Sequence, residues 1–324
     1  MKKVVFLTIL IAVLIPLLFV VPENPEGEER IFSISRGEGI LSISENLESD
    51  GLISSKYSFI VYNLLNRTAR SLQSGDYLLS PLMGISGISR KIAEGDVMRR
   101  RITIVEGWNL KDIEEYLLNE GICEREEFLA LVSSGFEEFS FLEDRPEGLN
   151  FEGYLFPDTY EVFLDTTCKD LISRMLDNFD KKLSEEIREE IKRQEKTIFE
   201  IINMASLIEK EVRKLEDKKL VSGVLWKRLE IGMPLQVDAT IAYITGKRTT
   251  RISLEELEID SAYNTYRNRG LPIGPISNPG IESIIASVYP EESDYWFYLS
   301  APDGTTIFSR NFEEHVKAKN KYLK

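Results

Sequence analysis

The sequence contains few of the residues that bind metals or cross-link chains. Its 324 residues include one histidine, His315, and two cysteines, Cys123 and Cys168. These numbers exclude a site with several histidines and a four-cysteine zinc site, and a Ser-His-Asp triad would have to use His315. His315 falls in the first turn of a helix predicted to begin at Asn311, where we expect a surface residue. The sequence alone leaves open whether the two cysteines form a disulfide.

Positive charge is scarce relative to negative charge. The chain has 40 lysines and arginines against 54 aspartates and glutamates, which gives a formal net charge of −14. Such a chain repels a phosphate backbone, so we do not expect it to bind nucleic acid. Hydrophobic residues make up 43% of the chain, which is enough for an ordinary packed core. The length indicates two domains, or three small ones.

One long apolar run lies near the N-terminus. Residues 4–21 are uncharged, and a helix of this length, at about 1.5 Å per residue, approaches the roughly 30 Å hydrocarbon core of a membrane. Lys2 and Lys3 precede the run, and glutamates follow it. By the positive-inside rule, residues 1–3 are then cytoplasmic and the chain after the span is extracytoplasmic. No small-residue cleavage site follows the run, which favours a retained anchor over a cleaved signal peptide.

The chain after the apolar run contains an internal repeat. Ile34-Ser-Arg-Gly37 matches Ile104-Val-Glu-Gly107, and the similarity continues through the residues that follow. Each copy is typical of a strand, a glycine turn and an amphipathic helix. We predict an α+β protein with residues 22–30 as a linker, 31–97 as a small α/β subdomain and 98–324 as a mixed α+β domain. The second copy of the repeat opens this larger domain.

A helix predicted to begin at a capping box carries the main candidate residue. Thr197 and Glu200 form the box, and the helix is expected to continue to about Leu215. At about 100° per residue its apolar side chains share one face, and Glu209 lies at the edge of that face. Burial disfavours the charged form of a carboxyl, and a general acid working near neutral pH must be protonated. Glu209 is therefore a candidate general acid.

The neighbours of Glu209 also allow a purely structural interpretation. Arg213 lies one turn later and could form an ion pair with Glu209 at the rim of the core. Glu211 points away from the apolar face, and we expect it to be an ordinary solvent-exposed residue. A single carboxylate is a weak signal, so spacing alone does not decide between the structural and the catalytic interpretation.

Two segments further along the chain are candidates for a binding cleft. Residues 235–240 alternate in polarity, so an extended segment would place Gln236, Asp238 and Thr240 on one side. Such a row of polar groups could bind sugar hydroxyls, or it could form a solvated strand edge. Residues 270–280 contain three prolines and are expected to form an irregular loop of the kind that shapes clefts or that simply connects elements.

Five short segments together carry a resemblance to a known family. In chain order they are residues 152–160 (EGYLFPDTY), 205–211 (ASLIEKE), 235–240 (LQVDAT), 262–266 (AYNTY) and 270–280 (GLPIGPISNPG). Their order and spacing, with a single apolar run at the N-terminus, resemble the endolytic murein transglycosylases, also called YceG-like proteins. The resemblance covers nearly the whole chain. One departure is Ile273, where many members have proline.

The resemblance implies a catalytic role for Glu209 and a LysM-like subdomain before the catalytic domain. The implied reaction cleaves the β-1,4 bond between N-acetylmuramic acid and N-acetylglucosamine within a glycan strand and leaves a 1,6-anhydromuramic end. The sugar's own C6 hydroxyl attacks, so one carboxyl can act as acid and then as base, whereas glycosidases that use water usually need two. This chemistry needs no metal and no cofactor. The family also implies action at the cytoplasmic membrane, where nascent strands are ended during wall elongation beside the peptidoglycan synthases.

The assignment of the substrate-binding residues is our own inference and is not implied by the resemblance. Four residues are expected to line the cleft: Gln236, Asp238, Asn264 and Tyr266, the last with its ring against a sugar. Two alternatives differ from the transglycosylase. One is a peptidoglycan hydrolase with Glu209 as acid and Asp238 or Glu152 as base. The other is a non-enzymatic scaffold that holds glycan through its LysM-like region.

Overall fold

The computed structural model describes residues 27–136, 138–247 and 252–323. Within these ranges the protein is a mixed α+β structure of helices and two-stranded sheets. The predicted membrane span and the residues before it lie outside the described part. Among the helices that the structure describes, none is both long enough and apolar enough to cross a membrane.

The chain forms two compact units. The first contains the described residues up to Ile102 together with Glu161–Thr166, and the second contains Thr103–Tyr160 and the residues from Thr167 onward. The boundary falls within a pair of hydrogen-bonded strands, β3 (Arg99–Thr103) and β4 (Thr159–Phe163). Each unit therefore contains part of both strands.

The first unit combines an antiparallel two-stranded sheet with three helices. Its remaining elements are β1 (Arg30–Ile34), α1 (Ile40–Ser49), α2 (Lys56–Leu65), β2 (Gly75–Leu79) and α3 (Gly84–Glu94), with a 3₁₀ turn at Pro81–Met83. In the sheet Phe32 pairs with Tyr77, and both side chains are buried with apolar residues from all three helices. The unit thus has a hydrophobic core of its own.

The second unit is mainly helical. Its elements, after the strand pair, are α4 (Leu110–Asn119), α5 (Arg125–Ser133), a 3₁₀ turn (Ser140–Leu142), α6 (Cys168–Lys182), α7 (Glu185–Arg193), α8 (Ile198–Glu211), α9 (Leu215–Glu230), α10 (Asp238–Thr245), α11 (Leu254–Leu257), α12 (Ile281–Val288), β5 (Phe297–Ser300), β6 (Thr306–Ser309) and α13 (Phe312–Tyr322). Strands β5 and β6 form an antiparallel hairpin.

Both copies of the predicted repeat have the expected strand, turn and helix. The turns use Gly37 and Gly107, whose φ angles of 80° and 79° lie in the left-handed region that favours glycine. Helix α1 follows the first turn, and helix α4 follows the second. The prediction for the repeat is therefore confirmed.

Helix α8 lies at the centre of the second unit. It begins at the predicted capping box: the Thr197 hydroxyl accepts from the Glu200 N–H, and the Glu200 carboxylate accepts from the Thr197 N–H. Residues 201–208 are all buried, because α8 packs against α7, α9, α10 and α12 on different sides. The sequence predicts one apolar face, but the buried surface of α8 extends around almost its whole circumference. The helix also ends at Glu211, one turn earlier than expected.

The expectation of an extended segment at residues 235–240 is wrong. Helix α10 begins at Asp238, and Val237 is its N-cap residue. Gln236 is exposed and has a left-handed φ of 53°, whereas the Thr240 side chain is buried and donates to the Val237 carbonyl oxygen. Alternation of polarity over six residues cannot distinguish a strand from a turn that enters a helix.

Cys123 and Cys168 form a disulfide, which the sequence left open. The bond joins the segment between α4 and α5 to the first residue of α6, and both residues are buried. The other scarce residue, His315, is only half-buried: its ring stacks on Phe297 with 5.3 Å between the ring centroids. Burial lowers the pKa of this histidine.

Candidate active site

Glu209 lies in the last turn of α8, and only 9% of its side-chain surface is exposed. The prediction that this carboxyl lies at the edge of the core is confirmed. Its two oxygens point toward the N-terminus of α12 and toward α9, which both pack on α8. The surroundings of the carboxyl are therefore set by elements that come later in the chain.

Three different groups donate to the Glu209 carboxylate. The Ser283 hydroxyl donates to Oε2 over 2.6 Å, and the Gly280 N–H donates to the same oxygen over 3.0 Å. The Lys218 ammonium lies 3.3 Å from Oε2 and 3.5 Å from Oε1. Because Gly280 is the N-cap residue of α12, the carboxylate also lies at the positive end of that helix. These donors hold the nearly buried carboxyl in one position.

The counter-charge of Glu209 comes from Lys218 on α9. Its side chain is 3% exposed, and its second acidic neighbour, Glu282, lies 4.0 Å away. The structural interpretation had paired Glu209 with Arg213, which is exposed instead. Burying a lysine and a carboxylate together costs desolvation free energy. The presence of this pair therefore indicates a functional role for Glu209.

The turn after β3 brings a second carboxyl, that of Glu106, to this site. A Cβ atom added at Gly280 would lie 2.0 Å from Glu106 Oε1, and one added at Gly107 would lie 3.5 Å from Glu209 Cγ. Glu106 as a whole is exposed, but its carboxyl lies against the backbone of Gly280. Partial burial and the negative charges of Glu209 and Glu282 raise its pKa, and the Lys218 charge acts in the opposite direction.

Glu152, which the hydrolase alternative uses as its base, is hydrogen-bonded inside the protein. It is 3% exposed, and its carboxyl accepts from the Leu110 N–H, the Asn278 side-chain amide and the Tyr243 hydroxyl. Burial raises its pKa to about 8. The carboxyl therefore joins the start of α4 to the 270–280 loop inside the protein and is withdrawn from solvent.

Glu211 is not the ordinary solvent-exposed residue that the sequence predicts. It is partly buried, and its carboxyl is hydrogen-bonded to the Tyr298 hydroxyl and to the Ala239 N–H. Burial and the nearby Asp238 charge raise its pKa to about 7. The helical phase was correct, but α10 and β5 cover the face that would otherwise point to water.

The structure brings Gln236, Asp238 and Tyr266 together where the start of α10 meets the segment after α11. The Gln236 N–H donates to the Thr265 carbonyl oxygen, and the Tyr266 hydroxyl donates to the Asp238 carboxylate. Gln236 and Asp238 are exposed, and Tyr266 is half-buried. Their contacts with a substrate stay predictions.

Asn264 differs from the other three predicted binding residues because it is fully buried, with 0% exposed surface. Its side-chain amide donates to the carbonyl oxygens of Leu257 and Ile259, and its side-chain oxygen accepts from the Tyr266 N–H. Every polar group of this side chain is thus hydrogen-bonded to the backbone of residues 257–266. In this geometry Asn264 holds Tyr266 in place.

Sequence reasoning missed Lys218, Ser283 and Glu106. The two donors give no local signal, because neither α9 nor α12 has a motif that marks the buried position. Glu106 did carry a signal. The two copies of the repeat differ at this position: the first copy has Arg36 where the second has Glu106. A charge reversal within an otherwise similar turn marks a position whose surroundings differ.

A nearly buried carboxyl that accepts from Lys218, Ser283 and Gly280, with a second carboxyl beside it, defines a site for acid–base chemistry. Comparisons with known proteins agree with the sequence motifs around it. The model of the YceG-like family matches residues 32–321. The chain therefore belongs to the YceG-like family.

Named relatives and a solved structure support this membership. The chain is 31% identical over 304 residues to the endolytic murein transglycosylase of Bacillus subtilis (strain 168), covering 90% of this chain and 84% of that protein. It is 32% identical over 311 residues to the protein of the same name from Streptococcus pneumoniae, covering 87% of this chain but 56% of the longer relative. The crystal structure of a putative YceG-like protein from Listeria monocytogenes is similar, with a TM-score of 0.60 and 32% identity. The match covers 91% of this chain and all of that one.

Proposed function

We propose that this chain is an endolytic murein transglycosylase, a lyase that acts on peptidoglycan. It cleaves the β-1,4 bond between N-acetylmuramic acid and N-acetylglucosamine inside a glycan strand and leaves a 1,6-anhydromuramic end. The observation that carries the proposal is the Glu209 carboxylate, held by Lys218, Ser283 and Gly280 at the N-terminus of α12. The relatives named endolytic murein transglycosylase support the same activity.

Glu209 is the catalytic carboxylate of this proposal. As the C6 hydroxyl of the muramic acid attacks C1, the bond from C1 to the leaving O4 breaks and a bond from C1 to O6 forms. The hydroxyl proton passes to the Glu209 carboxylate, and Glu209 returns a proton to the leaving O4. Water is not consumed, so one carboxyl can serve as acid and as base in turn. The three donors around Glu209 suit the base step, because they hold the carboxyl in one position for the arriving hydroxyl.

Substrate binding is assigned to two neighbouring segments, the residues that lead into α10 and the segment after α11. Gln236 and Asp238 present polar groups to solvent, and Tyr266 offers a ring for a sugar to stack on. Its hydroxyl is held by Asp238. Asn264 contributes indirectly, because its side-chain oxygen accepts from the Tyr266 N–H and so fixes the Tyr266 backbone.

The proposal places the enzyme at the outer side of the cytoplasmic membrane. Residues 4–21 serve as a retained single span with the N-terminus in the cytoplasm, and the first unit is the LysM-like subdomain. The Cys123–Cys168 disulfide supports this location, because such bonds form and persist in oxidising compartments. An anchored enzyme acts on nascent strands and ends them during wall elongation, beside the peptidoglycan synthases.

Mass spectrometry of glycan ends tests the function. Purified peptidoglycan is digested with the full chain in detergent, and the same preparation carrying Glu209→Gln controls for contaminating enzymes. We expect anhydro ends, one water lighter than the products of hydrolysis, from the wild type only. Reducing ends would support the hydrolase instead. If neither nascent, lipid-linked strands nor mature peptidoglycan are cleaved, the scaffold alternative gains.

A further inference from the structure

The Glu106 side chain is held beside Glu209 by a well-anchored turn. The Gly107 N–H donates to the Asn278 carbonyl oxygen over 2.9 Å, and the Asn278 N–H donates to the Trp108 carbonyl oxygen over 2.7 Å. The Lys210 ammonium, one residue after Glu209, donates to the Gly107 carbonyl oxygen over 3.0 Å. The backbone on the C-terminal side of Glu106 is thus bound both to the 270–280 loop and to α8.

Gly280 lies between the two carboxyls. Its N–H donates to Glu209, and its Cα hydrogens face the Glu106 carboxyl, which leaves no space for a side chain. The φ angle of Gly280 is −73°, a value that any residue can adopt. The backbone therefore does not require glycine here. What glycine provides is space for Glu106 next to Glu209.

The two carboxyls have opposite electrostatic surroundings. Glu209 is nearly buried and accepts from an ammonium, a hydroxyl and a backbone N–H. Glu106 is exposed. The charges that face it are Glu209, Glu282 and Lys218, with Lys210 held on the adjacent carbonyl, and partial burial together with the two glutamates raises its pKa. Where neighbouring carboxyls are driven toward different protonation states, the difference assigns the acid and the base.

We infer that Glu106 is the general acid of the proposed reaction and that Glu209 is its base. This inference rests on the proposed function. The Glu106 proton passes to the leaving O4 as the bond from C1 to O4 breaks, and the C6 hydroxyl proton passes to Glu209 as the bond from C1 to O6 forms. After one turnover Glu106 is charged and Glu209 is protonated. Glu209 then releases its proton to water and the exposed Glu106 takes one from water, so the enzyme is restored and the cleavage consumes no water.

The test compares Glu106→Gln with Glu282→Gln in the full chain. Glu282 is a matched control, because its side chain is 52% exposed and it lies 4.0 Å from Lys218. Its removal therefore deletes one negative charge near the site without deleting the acid. On peptidoglycan, we expect Glu106→Gln to lower the rate of anhydro-end formation by about 100-fold or more. Glu282→Gln should change it by less than about threefold.

A second substrate separates a proton donor from a residue that merely shapes the site. In a muropeptide-derived aryl glycoside with an activated phenolate as leaving group, departure needs no protonation. We expect Glu106→Gln to recover to within about tenfold of the wild type on this substrate, and its rate there should lack the alkaline decline that we expect of the wild type on peptidoglycan. Glu209→Gln should stay inactive on both substrates. Because Glu106 is exposed, thermal unfolding of Glu106→Gln should match the wild type.

The outcomes distinguish the two proposals. If the wild type leaves anhydro ends while Glu106→Gln keeps the full rate, the inference about Glu106 is wrong and the proposed function stands. The same holds if Glu106→Gln and Glu282→Gln lose equal activity, or if the aryl substrate does not rescue Glu106→Gln. If the wild type leaves only reducing ends, the proposed function fails and the inference fails with it.

Discussion

The Lys218 ammonium lies 3.3 Å from Glu209 Oε2, and both side chains are almost completely removed from solvent. Burying two charges is unfavourable unless they pair and unless further hydrogen bonds satisfy them. Here Ser283 and Gly280 supply such bonds to the same carboxylate oxygen. The pair and these bonds therefore fix the Glu209 carboxylate in one position, as a base in a closed site requires.

Removing Lys218 should damage both stability and activity. We expect Lys218→Met to lower the free energy of unfolding by about 3–5 kcal/mol, because it leaves the Glu209 charge buried without a partner. Anhydro-end formation should fall below detection. Urea denaturation measures the first effect and the digest measures the second. Lys214→Met, at an exposed position just before α9, is the control, and equal unfolding midpoints for the two variants would contradict the account.

Removing the Ser283 hydroxyl should affect activity more specifically. Its 2.6 Å bond to Glu209 is a hydrogen bond to a charged group, worth about 1.5–3 kcal/mol, so Ser283→Ala should lower kcat by roughly 10- to 100-fold. Ser287, one turn later on α12, donates to the Ile201 carbonyl oxygen instead. We expect Ser287→Ala to lose similar stability but to keep its kcat. If steady-state kinetics show the same kcat for both variants, Ser283 has no special role at the site.

Glu152 should make stability depend on pH. Burial raises its pKa from 4.5 to about 8, so the folded protein binds this proton more tightly than the unfolded chain. The resulting stabilisation is fully present below pH 4.5 and is lost as the pH rises toward 8, at up to about 1.4 kcal/mol per pH unit. Glu152→Gln should lack this dependence.

Denaturant titrations between pH 5 and pH 8 measure the effect as the difference between the wild type and Glu152→Gln. Glu211, whose pKa is raised to about 7, titrates in the same window but in both proteins, so the difference isolates Glu152. A constant difference across this range would show that Glu152 is already charged in the folded protein at pH 5.

Reduction of the Cys123–Cys168 disulfide should destabilise the second unit. The bond closes a loop with a sequence separation of 45 residues, for which the chain-entropy model gives about 4 kcal/mol. We expect dithiothreitol to lower the unfolding midpoint of the wild type to that of a variant with both cysteines replaced by serine. Two thiols that react in the unfolded, unreduced protein would show that the bond is absent.

Local signals in the sequence were sufficient to predict where several helices begin. The capping box of Thr197 and Glu200 located the start of α8, and the repeated glycine turn located α1 and α4. The helical phase also separated Glu209 from Glu211 correctly. Each of these features depends on residues within a few positions of each other, where spacing alone determines geometry.

The surroundings of the site could not be predicted in this way. Lys218, Ser283 and Glu106 reach Glu209 from three different segments, and no spacing rule relates those segments to α8. Glu211 was assigned to solvent because its cover, β5 and the start of α10, follows much later in the chain. The disulfide could not be predicted for the same reason, since the pairing of Cys123 with Cys168 depends on how the second unit folds.

The two glutamates of the Glu209-Lys-Glu211 segment provide the most direct test of the central claim. They are close in sequence and point to different neighbours: Glu209 to Lys218, Ser283 and Gly280, and Glu211 to Tyr298 and Ala239. Peptidoglycan is digested in parallel with the wild type, Glu209→Gln and Glu211→Gln, and the ends are identified by mass spectrometry. The account predicts anhydro ends from the wild type and from Glu211→Gln and none from Glu209→Gln. Anhydro ends from Glu209→Gln would contradict it.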